Sequence, residues 1–293
     1  MPTSDPSPRS VNLHFQQLLY LREWSRRGGV TAAARALHVS QPALSQALGE
    51  MEHRLGLALF EGKGRKRRLT AAGQDTLRFA EEVLARASDF QRRMECRRRG
   101  ERGQLRVGMI DAASLYVLPQ VVRRYKSDHP EVELMLTVAP SRQLLDALRR
   151  YQLELVFAVG PPADEAFTTQ VIRREALVVY APPDSRGRDL RRAEWVLYPP
   201  GSRTRALIDR AFEAEGVVPR IGLETGSPEV MRQLVALGLG WSVLPEAVAA
   251  GAPVRLRRVR KKPLAHRELL AFRRREAPSD PLADEFLARA RKA

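Results

Sequence analysis

The side chains best placed for recognition chemistry lie in one short run. Gln41, Ser45, Gln46 and Glu50 recur at helical spacing and all carry hydrogen-bonding atoms. Ala43, Leu44, Ala47, Leu48 and Met51 fall on the complementary side and give the same helix an apolar face. Ser40 suits the N-cap, because its oxygen can accept from an unpaired N–H of the first turn. Pro42 sits early enough that its missing N–H costs little. One face that packs and one that offers donors and acceptors is what a helix needs to read base edges in a DNA groove. Gly62–Lys63–Gly64–Arg65–Lys66–Arg67–Arg68 follows, with two glycines among five cations. Such a run suits a turn held against phosphates, as in a wing, or a solvated loop; its place after the helix favours phosphate contact.

Other chemistries find little support. There is no Gly-x-Gly-x-x-Gly, no Walker-type loop, no His-Glu-x-x-His and no Gly-x-Ser-x-Gly. His14, His38, His53, His129 and His266 are scattered, without ligand spacing. Cys96 is the only cysteine, so an internal disulfide or a Cys-based metal cluster within one chain is excluded. Neither enzyme activity, nor a cofactor, nor a metal is expected. Cys96 is flanked by Arg92, Arg93, Arg97 and Arg98, which would lower a thiol pKa; a redox sensor and an inert helix residue both fit.

The chain has 293 residues and 44% hydrophobic composition, enough for about two domains with real cores. The net charge of +16 favours a polyanionic partner, with nucleic acid first. Residues 1–103 hold 19 Lys plus Arg against 11 Asp plus Glu, half of the excess, so charge alone does not locate a DNA surface. No stretch approaches the ~20 apolar residues that span a bilayer, so no membrane partner is expected. The single cysteine fits a reducing cytoplasm.

The elements that must position these residues are readable in outline. Residues 1–12 are a Pro- and Ser-rich lead, expected to be disordered. A helix from about Leu13 to Arg27 ends at Gly28–Gly29, Thr31 is a plausible cap for a second helix, and a third runs from Ser40 to about Leu55 before Gly56. Residues 13–69 thus form a helix–turn–helix with a wing. Residues 70–103 form a long helix, capped by Thr70, and a hinge. Leu77, Ala80, Leu84, Ala87 and Met94 follow a heptad seam, with Phe79, Val83 and Phe90 on a neighbouring face. Two apolar faces suit either two partners, one a second copy of the helix, or burial within a single globule.

From residue 104 short apolar strands alternate with helices, which implies parallel sheets wrapped by helices. A break near Arg174–Ala176 divides residues 104–293 into lobe I (about 104–174 and 264–293) and lobe II (about 175–263), with a cleft suited to a small ligand. The apolar–basic alternation of Val254–Lys262 reads best as a strand with a solvated face, with subunit or DNA contact as the alternative.

Nearly the whole chain from Leu13 onward resembles the LysR-type transcriptional regulators. The resemblance rests on Ala33, Ala34, Leu37, Ser40–Gln41–Pro42–Ala43–Leu44–Ser45, Leu48, Glu52, Leu55–Gly56, Leu59–Phe60, Arg65 and Leu69–Thr70–Ala71–Ala72–Gly73. Weaker matches follow in order, among them Val107–Gly108, Leu118–Pro119, Pro200–Gly201–Ser202, Ser227 and Leu244–Pro245. It implies an N-terminal all-α winged helix–turn–helix, a dimerising linker helix and a C-terminal two-lobed α/β effector domain like the periplasmic binding proteins. It also implies a homo-oligomer, usually a tetramer, that binds double-stranded promoter DNA. A small molecule then alters how the DNA is bent or RNA polymerase engaged. By position, Gln41, Pro42, Ser45 and Gln46 would face bases. Thr31, Ser40, Arg54, Arg65, Lys66 and Arg67 would hold phosphates or the minor groove. Asp111, Ala112 and Val117 of lobe I, and Ser202, Arg203, Thr204, Thr225 and Ser227 of lobe II, would line the effector cleft. Gly62 stands where an Arg is usual, Arg67 where an apolar residue is common, and Ala112 where Ser or Thr often holds an effector carboxylate. Asp111 and Arg203 would either receive a zwitterion or pair with each other.

Overall fold

The computed structural model describes residues 13–62, 67–98, 103–160, 164–187, 189–250, 255–277 and 279–292, with the side chains of 92, 93 and 95–98 left aside. The expected N-terminal lead, Arg65, Lys66 and the Cys96 thiol therefore lie outside the described residues. The chain divides into two compact units at Arg92/Arg93, and each is described by itself.

In the first unit, helix α1 (Phe15–Arg27) buries Leu18, Tyr20, Leu21 and Trp24 and stops at Gly28, whose φ of 73° is the left-handed conformation that favours glycine. Helix α2 (Val30–Ala36) presents Ala33 and Ala34 to the core. It starts two residues earlier than expected. Gly29 is its N-cap, so Thr31 lies within the helix and does not cap it. A turn through His38, at φ 55°, leads to helix α3 (Gln41–Leu55). Ser40 caps α3, its Oγ accepting from Ala43 N at 3.3 Å. Leu44, Leu48 and Met51 are wholly buried against α1 and α2, each worth roughly 1.5–3 kcal/mol of apolar burial. Gln17 ties α1 to α3 by donating to Ala47 O at 3.1 Å.

Strands β1 (Phe60–Glu61) and β2 (Arg68–Leu69) pair antiparallel and form the stem of the wing. Helix α4 (Ala71–Arg98) follows. Thr70 locks its start: Thr70 N donates to Leu59 O at 3.0 Å, its hydroxyl donates to Ala58 O at 2.7 Å and accepts from Gly73 N at 3.0 Å. Gly73 is needed here for space. A Cβ on it would lie 2.1 Å from Leu59 O.

The second unit holds strands β3 (Gln104–Met109), β4 (Glu133–Val138), β5 (Leu155–Val159), β6 (Phe167–Ala181), β7 (Glu194–Leu197), β8 (Arg220–Glu224), β9 (Ser242–Pro245), β10 (Arg257–Arg258) and β11 (Ala265–Arg274). Helices α5 (Pro119–Asp128), α6 (Ser141–Arg149), α7 (Arg203–Ala214), α8 (Pro228–Ala236), α9 (Glu246–Ala250) and α10 (Pro281–Ala290) pack among them. The sheets are mixed, not parallel as expected. β3 pairs parallel with β4 and β5, and β7 with β8, but β11 is antiparallel to both β5 and β6, and β9 and β10 are antiparallel to β6.

The expected break near Arg174–Ala176 is also corrected. β6 runs unbroken through it, paired with β11 from Phe167 to Leu177 apart from a register shift at Leu269/Leu270. These two strands serve both lobes. Leu269, Leu270, Ala271 and Phe272 enter the lobe I cores, while Leu177–Val178–Val179–Tyr180–Ala181 enter that of lobe II. Of the expected strand at Val254–Val259, residues 255–259 are described, and only the two residues of β10 are strand. The helix expected from Tyr116 begins instead with a π-helical turn, Ala113–Val117, closed by Leu118 N donating to Ala113 O at 2.8 Å, before Pro119 opens α5.

Gly73→Ala forces Leu59 and the wing stem away from α4. We expect it to cost about 1–3 kcal/mol, in line with other overpacking substitutions, read from denaturant unfolding of the full chain.

Candidate DNA-binding surface and interlobe cleft

The start of α3 presents Gln41, Pro42 and Gln46 to solvent, with Ser45 half-buried, opposite the packed Leu44–Leu48–Met51 side. The polar groups on this face bond one another. The Thr31 hydroxyl donates to Gln41 Oε1 at 3.1 Å, and Gln46 Nε2 donates to Glu50 Oε1 at 3.0 Å. Arg54, one turn beyond Glu50, lies 4.0 Å from its carboxylate. Thr31 thus holds a side chain of this polar face from α2. Arg67 is turned toward the protein, 3.7 Å from Glu52 and over the Phe60 ring. Together these residues form a polar helix face beside a cation-bearing hairpin, a surface able to meet bases and phosphates.

In the second unit the lobes meet where β3 ends and α8 begins. Ser227, beside α8, donates its hydroxyl to Asp111 Oδ2 at 2.7 Å. Thr225 Oγ1 accepts from Ser227 N at 3.3 Å. Asp111 is therefore held by Ser227, and no contact with Arg203 is found among the described residues. Arg203 is exposed at the start of α7. Beside this bond the Tyr116 hydroxyl, from the π-helical turn of lobe I, bonds Glu229 of α8, which Arg232 also grips. The Arg232 and Tyr116 hydrogen bonds hold the Glu229 carboxyl down at about 2. Burial, with Glu229 beside it, pushes the Tyr116 hydroxyl up to about 12.

Three residues expected in the cleft are packed instead. Ala112 joins the lobe II core although it follows a lobe I strand, and Val117 joins the core of lobe I. Thr204 is buried, and its hydroxyl accepts from Arg267 Nη1 at 3.1 Å. Ser202 caps α7, accepting from Arg205 N at 3.5 Å. The sequence reading missed the buried pair beneath them. Arg267 on β11 and Glu175 on β6 are cross-strand partners, 2.8 Å apart and nearly inaccessible to solvent. Arg267 Nη2 makes this ion pair, and the Tyr198 hydroxyl is buried beside it. The one signal available beforehand was a charged residue at the edge of each of two apolar strand runs. Glu229 and Arg232, three apart on a helix, were a weaker sign.

The family described as LysR substrate binding domain matches residues 98–293, and that described as bacterial regulatory helix-turn-helix protein, lysR family, matches residues 15–74. The chain belongs to the LysR family. It is a LysR-type transcriptional regulator with a DNA-binding helix–turn–helix and an effector-binding domain, and not an enzyme. It is 31% identical over 241 residues to the HTH-type transcriptional regulator CbbR of Rhodospirillum rubrum, covering 80% of each chain. It is also 31% identical over 246 residues to the RuBisCO operon transcriptional regulator of Acidithiobacillus ferrooxidans, covering 81% of this chain and 79% of that one. Among solved structures it is similar to CbnR, a LysR family transcriptional regulator (TM-score 0.67, 26% identity, 96% of this chain and 99% of that one). The similarity extends to full-length CbnR complexed with its target DNA (TM-score 0.68, 25% identity, the same coverage). Among the described residues no helix of this LysR-family chain is long and apolar enough to cross a membrane.

Because the Glu229 carboxyl is held below its ordinary value, the stability it supplies is complete above about pH 4.5 and is lost as pH falls toward about 2. The difference in melting temperature between wild type and Glu229→Gln should therefore be largest near neutrality and shrink through that window. A difference independent of pH would show that Glu229 is not held in this way.

Proposed function

We propose that the chain binds promoter DNA sequence-specifically as a homo-oligomer and responds to a small-molecule effector held between its two lobes. Residues 13–69 would carry the DNA-binding part, 70–103 the linker helix, and 104–293 the effector domain in two lobes. The observation that carries the reading is the face of α3: Gln41, Pro42 and Gln46 exposed, with Ser45 beside them, over a fully packed opposite side. The charge of +16 and the likeness to a regulator solved on its target DNA support it. Bases would be met by Gln41, Pro42, Ser45 and Gln46, and phosphates by Arg54 and the wing cations Arg65 and Lys66, with Thr31 and Ser40 at the helix starts.

Apolar surface supports the homo-oligomer. On the 28-residue α4, Phe90 is 54% exposed, with Phe79 and Met94 also uncovered, so a second copy of the helix has a face to cover. The strands β4 and β8 carry further exposed apolar side chains, Met135, Leu136, Val138, Ile221 and Leu223. Asp111, Ser227 and the exposed Arg203 provide charged and hydroxyl groups for an effector at the lobe boundary. A dimer of dimers fits these surfaces, and a DNA-binding regulator of this family would act in the cytoplasm.

Selection of genomic fragments by the purified protein tests the reading. We expect recovery of a partly palindromic site, since a dimer sets two recognition helices about one or more helical turns apart. Gln41→Ala should lose about 1–3 kcal/mol of discrimination between that site and a base-substituted one, measured by competition. Failure to retain any duplex selectively, with or without metabolites, overturns the proposal.

A further inference from the structure

An ionic and aromatic cluster ties the wing to the recognition helix. Glu52 of α3 turns its carboxylate toward β1, where Oε1 accepts from the backbone N–H of Leu59 at 2.7 Å and of Phe60 at 3.1 Å. The other oxygen, Oε2, lies 3.7 Å from Arg67 Nη2. The Arg67 guanidinium also lies 4.1 Å from the centroid of the Phe60 ring, and that ring meets Trp24 of α1 edge-on at 4.7 Å. Arg67 stands one residue before β2, whereas Phe60 begins β1. One carboxylate therefore holds both ends of the hairpin stem.

We propose that Arg67 is a positioning residue for DNA binding: with Glu52 and Phe60 it fixes the returning strand of the wing to α3, and it makes no phosphate contact of its own. To reach a phosphate the guanidinium would have to leave both an ion pair and an aromatic face, and Glu52 would lose the cation that neutralises it. Arg68, the next residue, is exposed and pairs in register with Glu61, so the stem keeps a cation for the nucleic acid while Arg67 faces the protein. An arginine at a position where an apolar side chain would pack does the same work here by stacking and charge.

The test uses the full chain and a duplex recovered by selection from a random pool with the wild-type protein. Affinity is measured by fluorescence anisotropy across a series of KCl concentrations for wild type, Arg67→Ala, Arg67→Leu and Glu52→Gln. Loss of a positioning contact predicts binding about three- to tenfold weaker in Arg67→Ala, the scale of one cation–π contact plus one partly exposed ion pair. The slope of log K against log salt should stay that of wild type. Arg67→Leu should recover part of the loss, because an apolar side chain still covers Phe60. Glu52→Gln keeps an acceptor for the two backbone N–H groups and should weaken binding without changing the slope. A slope smaller by about 0.9 in Arg67→Ala, with Arg67→Leu equally weak, identifies a phosphate contact and overturns the proposal. A second measurement needs no DNA. Amide exchange at Leu59, Phe60 and Leu69 of the free protein should quicken in Arg67→Ala; unchanged exchange overturns the proposal even if selection recovers no site, a result that would count against promoter binding instead.

Discussion

The effector domain depends on the antiparallel pairing of β6 with β11. Both strands pass from one hydrophobic core into the other, so neither lobe closes its sheet without them. At the crossing the register sets Glu175 opposite Arg267, with both side chains out of water. A buried charge without its partner costs several kcal/mol, so removing or displacing either group is far more damaging than the pair is stabilising. Slipping one strand by a single residue would turn every side chain to the other face and separate the two charges. A change in lobe separation would therefore have to bend these strands, not slide them. The register shift at Leu269/Leu270 is where the ladder is already interrupted.

That restriction gives meaning to the contacts at the lobe boundary. Asp111–Ser227 and Tyr116–Glu229–Arg232 join a turn of lobe I to the start of one helix of lobe II. The lobe I side is a π-helical turn, where the backbone is locally overfilled and the hydrogen-bond pattern is irregular. Bending the two shared strands must lengthen or shorten these side-chain bonds. A ligand oxygen that replaced Ser227 on Asp111, or Tyr116 on Glu229, would act on the same coordinate. The strong hold on Glu229 means that such a ligand must offer a comparable donor.

What the sequence reveals and what it hides divides along chain separation. The helix–turn–helix is legible because its signals are local: the Ser40 cap, the left-handed glycines 28 and 56, and the apolar spacing of Leu44, Leu48 and Met51 lie within a few residues of what they determine. Thr31 shows the limit. Its residue type suits a cap, but Gly29 starts the helix, and the hydroxyl bonds Gln41 across the turn instead. The first half of β6, Phe167–Glu175, is rich in Thr, Gln and Arg and largely exposed, so no apolar run marks it as strand. The lobe boundary is hidden most completely. Asp111 and Ser227 are 116 residues apart, and nothing near either one names the other.

The polar face of α3 shows why exposure is a poor guide to specificity. In the free protein Gln41 bonds Thr31, and Gln46 bonds Glu50. A base contact that took the same lone pair or proton would replace a hydrogen bond of similar strength, so its net value would fall below the about 0.5–1.5 kcal/mol of one neutral hydrogen bond. Against a wrong base, Gln41 can return to Thr31 and avoid being left unpaired. The penalty for a mismatch is smaller than for an amide with no internal alternative, and the two pairs also hold both side chains in place before DNA arrives. If Gln41 meets a base, Thr31 would therefore lower discrimination per contact while reducing the entropy lost on binding. Which effect wins is decided by geometry: only where a base edge offers Gln41 two bonds, as adenine does, does leaving Thr31 bring a clear gain.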